Sequence, residues 1–507
     1  MIFGNLMGDQ AGHLFWAQKA IFAADFSEFV KWPIGPGTWQ DLRSLNQETG
    51  YFYLAFKTMG KLALPFSDAS THALHTLLAA YLLNLFLSIV FVYFVARLFV
   101  GRWVSIVCAL TTCVSLSWWV RSTGHLSLTA FYVLFGIIYL ALGSPQWSLK
   151  RRLITGAIVG FLAGASYYYL YLGTILVGCI LLALAGLHRW RRHRMPGLPD
   201  PVPYFKKGVW GVLAAVIVFG LCNTSIIRPG PRFGTLESLA FRGTHDLRVF
   251  SNRPSDFFKV HQDSPEHALL GLPVSTSMHG SNPTELSVFL GIGGTLMFIC
   301  ALVFGRIAFK RRLNLAQTVP VALLLIFSFA LSISVVALLF FPLMPAVRVY
   351  SRIAIAVLPA SVILVHLVLP HLTARRPWLK PAVYTLTLLL LLWPAWYAKV
   401  IFGSLVSFRP DQQQALEFVD RAKAAGTRFI CVEFAQLRKC PLEFTDGFKL
   451  FLAAREGMGI AGVTIDGAKI FSDPAFGREA PQAWPADQCL KIPVEIYVGG
   501  YPGREHC

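Results

Sequence analysis

The sequence predicts an all-α polytopic membrane protein with about ten transmembrane helices and a small extracytoplasmic α/β domain at its C-terminal end. Three observations predict it. The 507 residues are 55% hydrophobic and only 14% charged, whereas soluble domains are about a quarter charged. Mean hydropathy is +0.56. The apolar residues gather into runs that can each cross a bilayer, which takes roughly 17–25 residues.

The runs lie at 74–96, 103–120, 125–143, 208–226, 285–305, 318–341, 352–369 and 381–402. The stretch 153–187 is longer than one span needs. It reads as two short helices, 153–166 and 170–187, meeting at Tyr167-Tyr168-Tyr169. A break there would line a cavity or pack aromatics at the interface, because irregular backbone is not tolerated against lipid.

The turns between runs set the orientation. Segments 97–102, 143–152, 188–207, 306–314 and 370–380 hold 18 Lys and Arg against one acid, Asp200. They alternate along the chain and carry nearly all of the net charge of +19. Basic residues concentrate on the cytoplasmic side of membrane proteins, so these turns are expected inside. The charge is thereby explained as membrane anchoring, and nucleic acid is excluded as a partner. Membrane lipids are the partners that this placement implies.

Six segments are left outside: 1–73, 121–124, the Tyr167–Tyr169 turn, 227–284, 342–351 and the tail 403–507. Residues 1–73 are too polar to span and read as amphipathic helices along the outer face, with a loop at 32–40 around Trp32-Pro33-Ile34-Gly35-Pro36-Gly37. With that region outside, an inbound helix is expected upstream of it, so the true start lies earlier or a first helix has been lost. The transmembrane domain is 74–402, with a long outer loop at 227–284. The tail 403–507 reads as the extracytoplasmic α/β domain: helices at 411–425 and 448–455, and strands at 428–434, 463–465 and 492–498. Its four cysteines, Cys431, Cys440, Cys489 and Cys507, allow three disulfide connectivities in an oxidising compartment. The other five lie in or beside apolar spans, as small apolar residues do.

Several ionisable residues sit where such chemistry is sparse. Asp9 and His13 stand four apart among glycines in Gly8-Asp9-Gln10-Ala11-Gly12-His13. Arg121 and His125 stand four apart at the outer mouth of two spans, after Trp118-Trp119. Glu285 falls at the expected start of a span, where a helix dipole favours an acid. Arg348 and Arg352 share one face by spacing, on the side depleted of such residues, and guanidinium forks hold phosphate in a bidentate way. The acids of the first region also include Asp41 and Glu48. No Gly-rich phosphate loop, nucleophile motif or metal-ligand cluster is visible, so no cofactor is expected; a divalent metal stays open.

The order of these features resembles the GT-C superfamily of membrane glycosyltransferases, more closely the bacterial multispan branch that includes the YfhO-like proteins. The matching pieces are the early Gly8-Asp9, the Pro/Gly turn near Trp32, and Arg121-Ser122-Thr123-Gly124-His125-Leu126 entering a span. Glu285 before Phe289-Leu290-Gly291 and the late Arg348 to Arg352 complete the set. The resemblance covers residues 4–400. It implies a polyprenyl-phosphate sugar as donor, presented at the outer face of the bacterial inner membrane, and an envelope glycan or lipid as acceptor. It implies Asp9 as the catalytic carboxylate, with Asp41 or Glu48 as a second acid. His13, Arg121, His125, Glu285, Arg348 and Arg352 would bind substrate. A polysaccharide polymerase or ligase would use the same outer arginines with no early carboxylate. A transporter would place ionisable groups mid-span; here they gather at helix ends, with His366, near the inner end of its span, the exception. A non-catalytic scaffold would act through its tail.

Overall fold

An apolar run in lipid has one low-energy form, a helix that satisfies its own backbone hydrogen bonds. In the computed structural model of the chain, every one of the ten expected runs contains a helix. The structure describes residues 9–29, 31–35, 38–41, 49–67, 72–115, 126–191, 197–222, 252–259, 290–333, 350–374 and 376–390. It adds positions 267, 271, 288 and 336 and, in the tail, 417, 420, 421, 424, 429–431, 459–461 and 489–491.

The spans are α4 (His72–Arg97), α5 (Arg102–Cys113), α6 (Phe131–Gly143), α7 (Leu149–Leu162) and α8 (Tyr167–Arg191). They continue with α9 (Val202–Cys222), α10 (Gly291–Arg311), α11 (Leu315–Ser332), α12 (Val357–Thr373) and α13 (Leu379–Leu389). Six are long and apolar enough to cross a membrane, with α12 counted together with the turn that opens it. The protein is therefore a multi-pass membrane protein. α5 and α6, with 12 and 13 residues, are only about 18–20 Å long. Both start or end at a basic turn, so both stop about 10 Å short of the far side of a 30 Å core. Helix ends away from the basic turns are called the far end below.

α12 is the central span, buried along nearly its whole length against α5, α10, α11 and α13. Its His366 Nε2 lies 2.9 Å from Thr387 Oγ1 on α13, and its ring meets Tyr384 edge-on at 5.2 Å. That interhelical tie accounts for the histidine that stood apart from the helix ends in the sequence. α9 is the opposite case, facing outward along most of its length. It is held on α7 by two close backbone crossings. A methyl group added at Gly156 would collide with the Gly211 carbonyl, and one at Gly160 with the Ala215 carbonyl. At the basic end, Lys207 Nζ donates to Pro145 O (3.1 Å) and Arg152 Nη1 to Lys207 O (3.3 Å), joining two of the basic turns.

The first region holds α1 (Asp9–Phe22), α2 (Phe26–Phe29) and α3 (Thr49–Ala63); helices were expected along the outer face, but α3 runs lengthwise against α4, from Asn84 to Thr76. Residues 32–40 were expected as a loop; there β1 (Lys31–Gly35) and β2 (Thr38–Asp41) instead pair antiparallel. Pro33 and Gly35 of the Pro/Gly cluster lie in β1, paired with Trp39 and Thr38. The tyrosines at 167–169 also differ from expectation. The break lies just before them, in a 3-10 turn at Ala163–Ala165, and the tyrosines open a single 25-residue helix. Small Ala and Gly residues fit the buried turn where aromatic rings would not. In the tail, positions 417, 420, 421 and 424 are helical. β3 (Phe429–Cys431) lies between β4 (Gly459–Ala461) and β5 (Cys489–Lys491), parallel to both. β4 and β5 precede the strands expected at 463–465 and 492–498, and those positions, like 448–455, lie outside the described residues. β4 lies against β1 of the hairpin. Phe429 pairs with Cys489 and Cys431 with Lys491, so Cys431 and Cys489 are diagonal neighbours with Cα atoms about 8 Å apart. A disulfide needs less than about 7 Å, which disfavours the connectivity that joins them.

The α7–α9 crossing gives a direct check. Gly160→Leu forces a side chain into backbone and is expected to cost about 1–3 kcal/mol. Thermal unfolding in detergent micelles should show a lower midpoint for Gly160→Leu than for a Leu placed at the open Gly178.

Candidate functional site

Three spans open at the far end through a buried 3-10 turn rather than a plain helical start. Leu126–Thr129 precedes α6, Ala163–Ala165 precedes α8, and Tyr350–Ala356 leads into α12. Every residue of these turns is buried. A 3-10 turn leaves backbone groups that lipid cannot satisfy, so protein must supply the partners.

Asn84 of α4 supplies them for the first turn. Its Nδ2 donates to Leu126 O and to Thr129 Oγ1, both at 3.0 Å. The Asn84 Oδ1 accepts from the Tyr51 hydroxyl at 2.5 Å, and the Tyr132 hydroxyl lies 3.3 Å away. One turn along α4, Ser88 Oγ donates to Thr129 O (3.3 Å) and accepts from the Tyr132 N–H (3.2 Å). Asn84 lies twelve residues into α4, about 18 Å along it and some 10 Å below the far edge of the core. On the other side of the turn, Tyr169 of α8 donates to Leu128 O at 2.9 Å and meets Phe131 edge-on at 5.7 Å. Its neighbour Tyr168 presents its ring to the Arg352 guanidinium at 4.2 Å. The chain of contacts therefore runs α3–α4–turn–α8–Arg352.

Arg352 is 3% exposed. It was expected to open a helix and share a face with Arg348. Instead it sits inside the 3-10 turn that opens α12. Stacking on Tyr168 holds the guanidinium plane.

The same chain of contacts reaches Asp9. α1 lies on α3 through His13 and Phe52 (ring centroids 5.4 Å) and through Trp16, which touches Phe52 and Phe29. Lys57 of α3 caps the other end of α1, donating to Ile21 O (3.2 Å) and Ala23 O. With His13 beside Phe52 and Ile21 beside Gly60, the two helices run parallel. α3 in turn runs antiparallel to α4, since Tyr51 meets Asn84 while Gly60 meets Thr76. Asp9 is the first residue of α1. This register puts it at the level where α3 begins, toward Asn84 rather than toward the His72 end of α4. His13 itself is buried on the Phe52 side. Burial pulls the Lys19 ammonium on α1 down to about 8, against an upward push from Glu28. Its charge therefore weakens the docking of α1 below that pH, and the penalty fades as pH rises from 8 toward the ordinary lysine range.

Arg121, His125, Glu285 and Arg348 lie outside the described residues, as does Glu48. Chain connectivity still limits three of them. His125 immediately precedes Leu126 of the clamped turn, Arg348 is two residues from Tyr350, and Glu285 is three from the buried Val288. The α10 helix begins at Gly291 rather than at Glu285, so Glu285 is not its opening residue. Asp41 ends β2.

One carboxylate was not singled out by sequence. Asp256, 1% exposed, accepts from the Arg253 N–H at 2.7 Å and pairs with Lys259 at 3.4 Å. Its segment docks on the far end of α11: Asn252 N–H donates to Ser332 O (3.0 Å), and Phe257 packs on Phe329 (4.8 Å). The helix-start pattern Arg-Pro-Ser-Asp in the long loop was the available signal. Among the described residues, no three His, Cys, Asp or Glu side chains come together as a metal site would require.

No protein-family model matches the chain, and no curated protein does. Among solved structures it is similar to the crystal structure of the Archaeoglobus fulgidus oligosaccharyltransferase in the apo form. The identity is 12% and the TM-score 0.43, over 91% of this chain and 61% of that one. The chain thus spans less than two thirds of that protein, and a likeness at this level assigns no activity.

The clamp is open to a direct check. Asn84→Leu leaves Tyr51 and the Leu126–Thr129 turn short of partners, at a cost of roughly 1–3 kcal/mol. Hydrogen exchange should quicken at residues 126–133 and at the start of α3, while α10 and α11 stay as protected as in the wild type.

Proposed function

We propose that the protein is a membrane glycosyltransferase that moves a sugar from a polyprenyl-phosphate donor to an envelope glycan or lipid acceptor. The reaction takes place at the outer face of the bacterial inner membrane. The observation that carries this reading is the buried Arg352 guanidinium, stacked on Tyr168 at the end of the bundle opposite the basic turns. A fixed cation in low dielectric is what a departing lipid phosphate requires, and its position within the bundle suits a donor whose tail stays in the bilayer. Two further features support the reading. The carboxylate-bearing start of α1 points toward the same level, and the motif order resembles the GT-C superfamily. The basic turns, read as cytoplasmic, put this end outside. The contact of β4 with β1 supports a tail domain on that same side.

In this mechanism an acceptor hydroxyl attacks the anomeric carbon of the donor. The bond from that carbon to the phosphate oxygen breaks as the new glycosidic bond forms. Asp9 takes the hydroxyl proton. The negative charge left on the lipid phosphate is held by Arg352, with Arg348, Arg121 and His125 as further donors. His13 positions the start of α1 from its packed place against Phe52, and Glu285 orders the acceptor side. The chemistry asks for no cofactor.

Membranes carrying the protein should transfer sugar from one of a panel of polyprenyl-phosphate donors. Asp9→Asn should lower transfer by roughly 100-fold or more, the range for loss of a general base. Arg352→Ala should lower it by about 100–1,000-fold, the range for loss of a charge-stabilising donor, and Arg352→Lys should not restore it. Transfer that survives Asp9→Asn but not Arg352→Ala would favour the polymerase or ligase reading. No transfer from any donor, at wild-type insertion, would overturn the proposal.

A further inference from the structure

Away from the Asn84 clamp, four polar side chains at the far end are 0% exposed and have no hydrogen-bond partner among the described residues. They are Ser166, Asn252, Ser328 and Tyr350, and both amide atoms of Asn252 are affected. Buried hydroxyls and amides are nearly always paired, and leaving one unpaired costs free energy that an apolar residue would avoid. A native chain that keeps four such groups together calls for a physical account.

Their placement supplies one. Tyr350 shares its turn with Arg352, and Arg352 stacks on Tyr168, two residues after Ser166. That turn packs against both α8 and α11, which also pack against each other. Ser328 lies one helical turn before Ser332 on the same face of α11, and the Ser332 carbonyl accepts the Asn252 N–H. The four groups thus sit on three mutually packed elements and on the loop segment docked to them. All four are uncharged donors and acceptors, and a cation, Arg352, shares the turn of Tyr350. That combination suits a ligand with several hydroxyls attached to a phosphate.

We propose that Ser166, Asn252, Ser328 and Tyr350 form an uncharged subsite that hydrogen-bonds the sugar hydroxyls of a lipid-phosphate-linked sugar, beside the phosphate position at Arg352. The inference rests on the glycosyltransferase reading and adds to it the residues that would read the sugar. Groups kept unpaired for a ligand weaken the free protein, so removing one should not harm folding but should harm recognition.

The test uses the full chain in lipid nanodiscs. Two kinds of probe are compared: polyprenyl phosphate, and the same lipid carrying glucose, galactose or a pentose. Binding is followed by thermal shift and by equilibrium titration. Tyr350→Phe removes one oxygen and nothing else; Asn252→Leu removes both amide groups. Each variant should melt at or above the wild-type temperature. Each should bind the preferred sugar-bearing lipid roughly tenfold more weakly, the worth of about one neutral hydrogen bond, and bind the sugar-free lipid as the wild type does. If the wild type prefers a sugar-bearing lipid and Tyr350→Phe keeps that preference in full, the subsite is wrong and the glycosyltransferase reading stands. A wild type that binds all the lipids alike sinks both. Equal loss of the sugar-bearing and sugar-free lipids in the variants would also overturn the subsite, since the damage would then be general.

Discussion

Backbone breaks inside hydrocarbon must be paired by protein, and the arrangement at the far end of this bundle follows from that constraint. Three spans open through 3-10 turns buried in the bundle, and each turn frees peptide groups that lipid cannot satisfy. Asn84 meets the need for Leu126–Thr129 with two donated bonds, and Tyr169 closes the other side through Leu128. Because Asn84 also accepts from Tyr51, one side chain fixes three things together. It sets the turn after the Arg121–His125 segment, the position of α3 on α4, and through α3 the seat of α1. The short helices α5 and α6 then stop below the far edge of the core. The carboxylate-bearing end of α1 can approach that level without any helix unwinding.

How much of this was legible in the sequence depends on which interactions decide each feature. The spans were legible because hydrophobic length alone decides them, and each expected run contains a helix. The basic turns were legible because anchoring charges are local. The break near the tyrosines was seen but misplaced by several residues. Aromatic residues at a helix start and small residues in a buried turn give the same pattern when read in one dimension. Residues 32–40 were taken for a loop because their Pro and Gly residues suggest a turn and do not show that β1 and β2 pair. Arg352 was singled out for its side of the membrane. Its stacking on Tyr168, some 180 residues away in the chain, is a tertiary fact that no local spacing carries. Asp256 was missed for the same reason: its burial comes from docking on α11, not from its own segment.

The site combines rigid and costly parts in a way that bears on function. The aromatic seat of α1 on α3 and the clamp at Asn84 are well-paired structure, and they hold α1, α3 and the Leu126–Thr129 turn in place. Arg352 and the unpaired groups around it are expensive to bury. Folding alone would favour apolar residues in their place, and the proposed sugar-phosphate substrate would give them partners. The opposite end of the bundle shows the reverse economy. Its arginines and lysines are spread over short turns and bonded to nearby carbonyls, as Arg152 is to Trp147 and Lys207 to Pro145. They anchor the chain in the membrane.

The most direct measurement is a cryo-electron-microscopy map of the full chain in lipid nanodiscs with a non-hydrolysable polyprenyl-phosphonate sugar. The account predicts phosphonate density within hydrogen-bonding distance of the Arg352 guanidinium, the lipid tail running down the bundle toward the bilayer, and the anomeric carbon facing the start of α1. Phosphonate density among the basic turns, with the Arg352 turn empty, would contradict it.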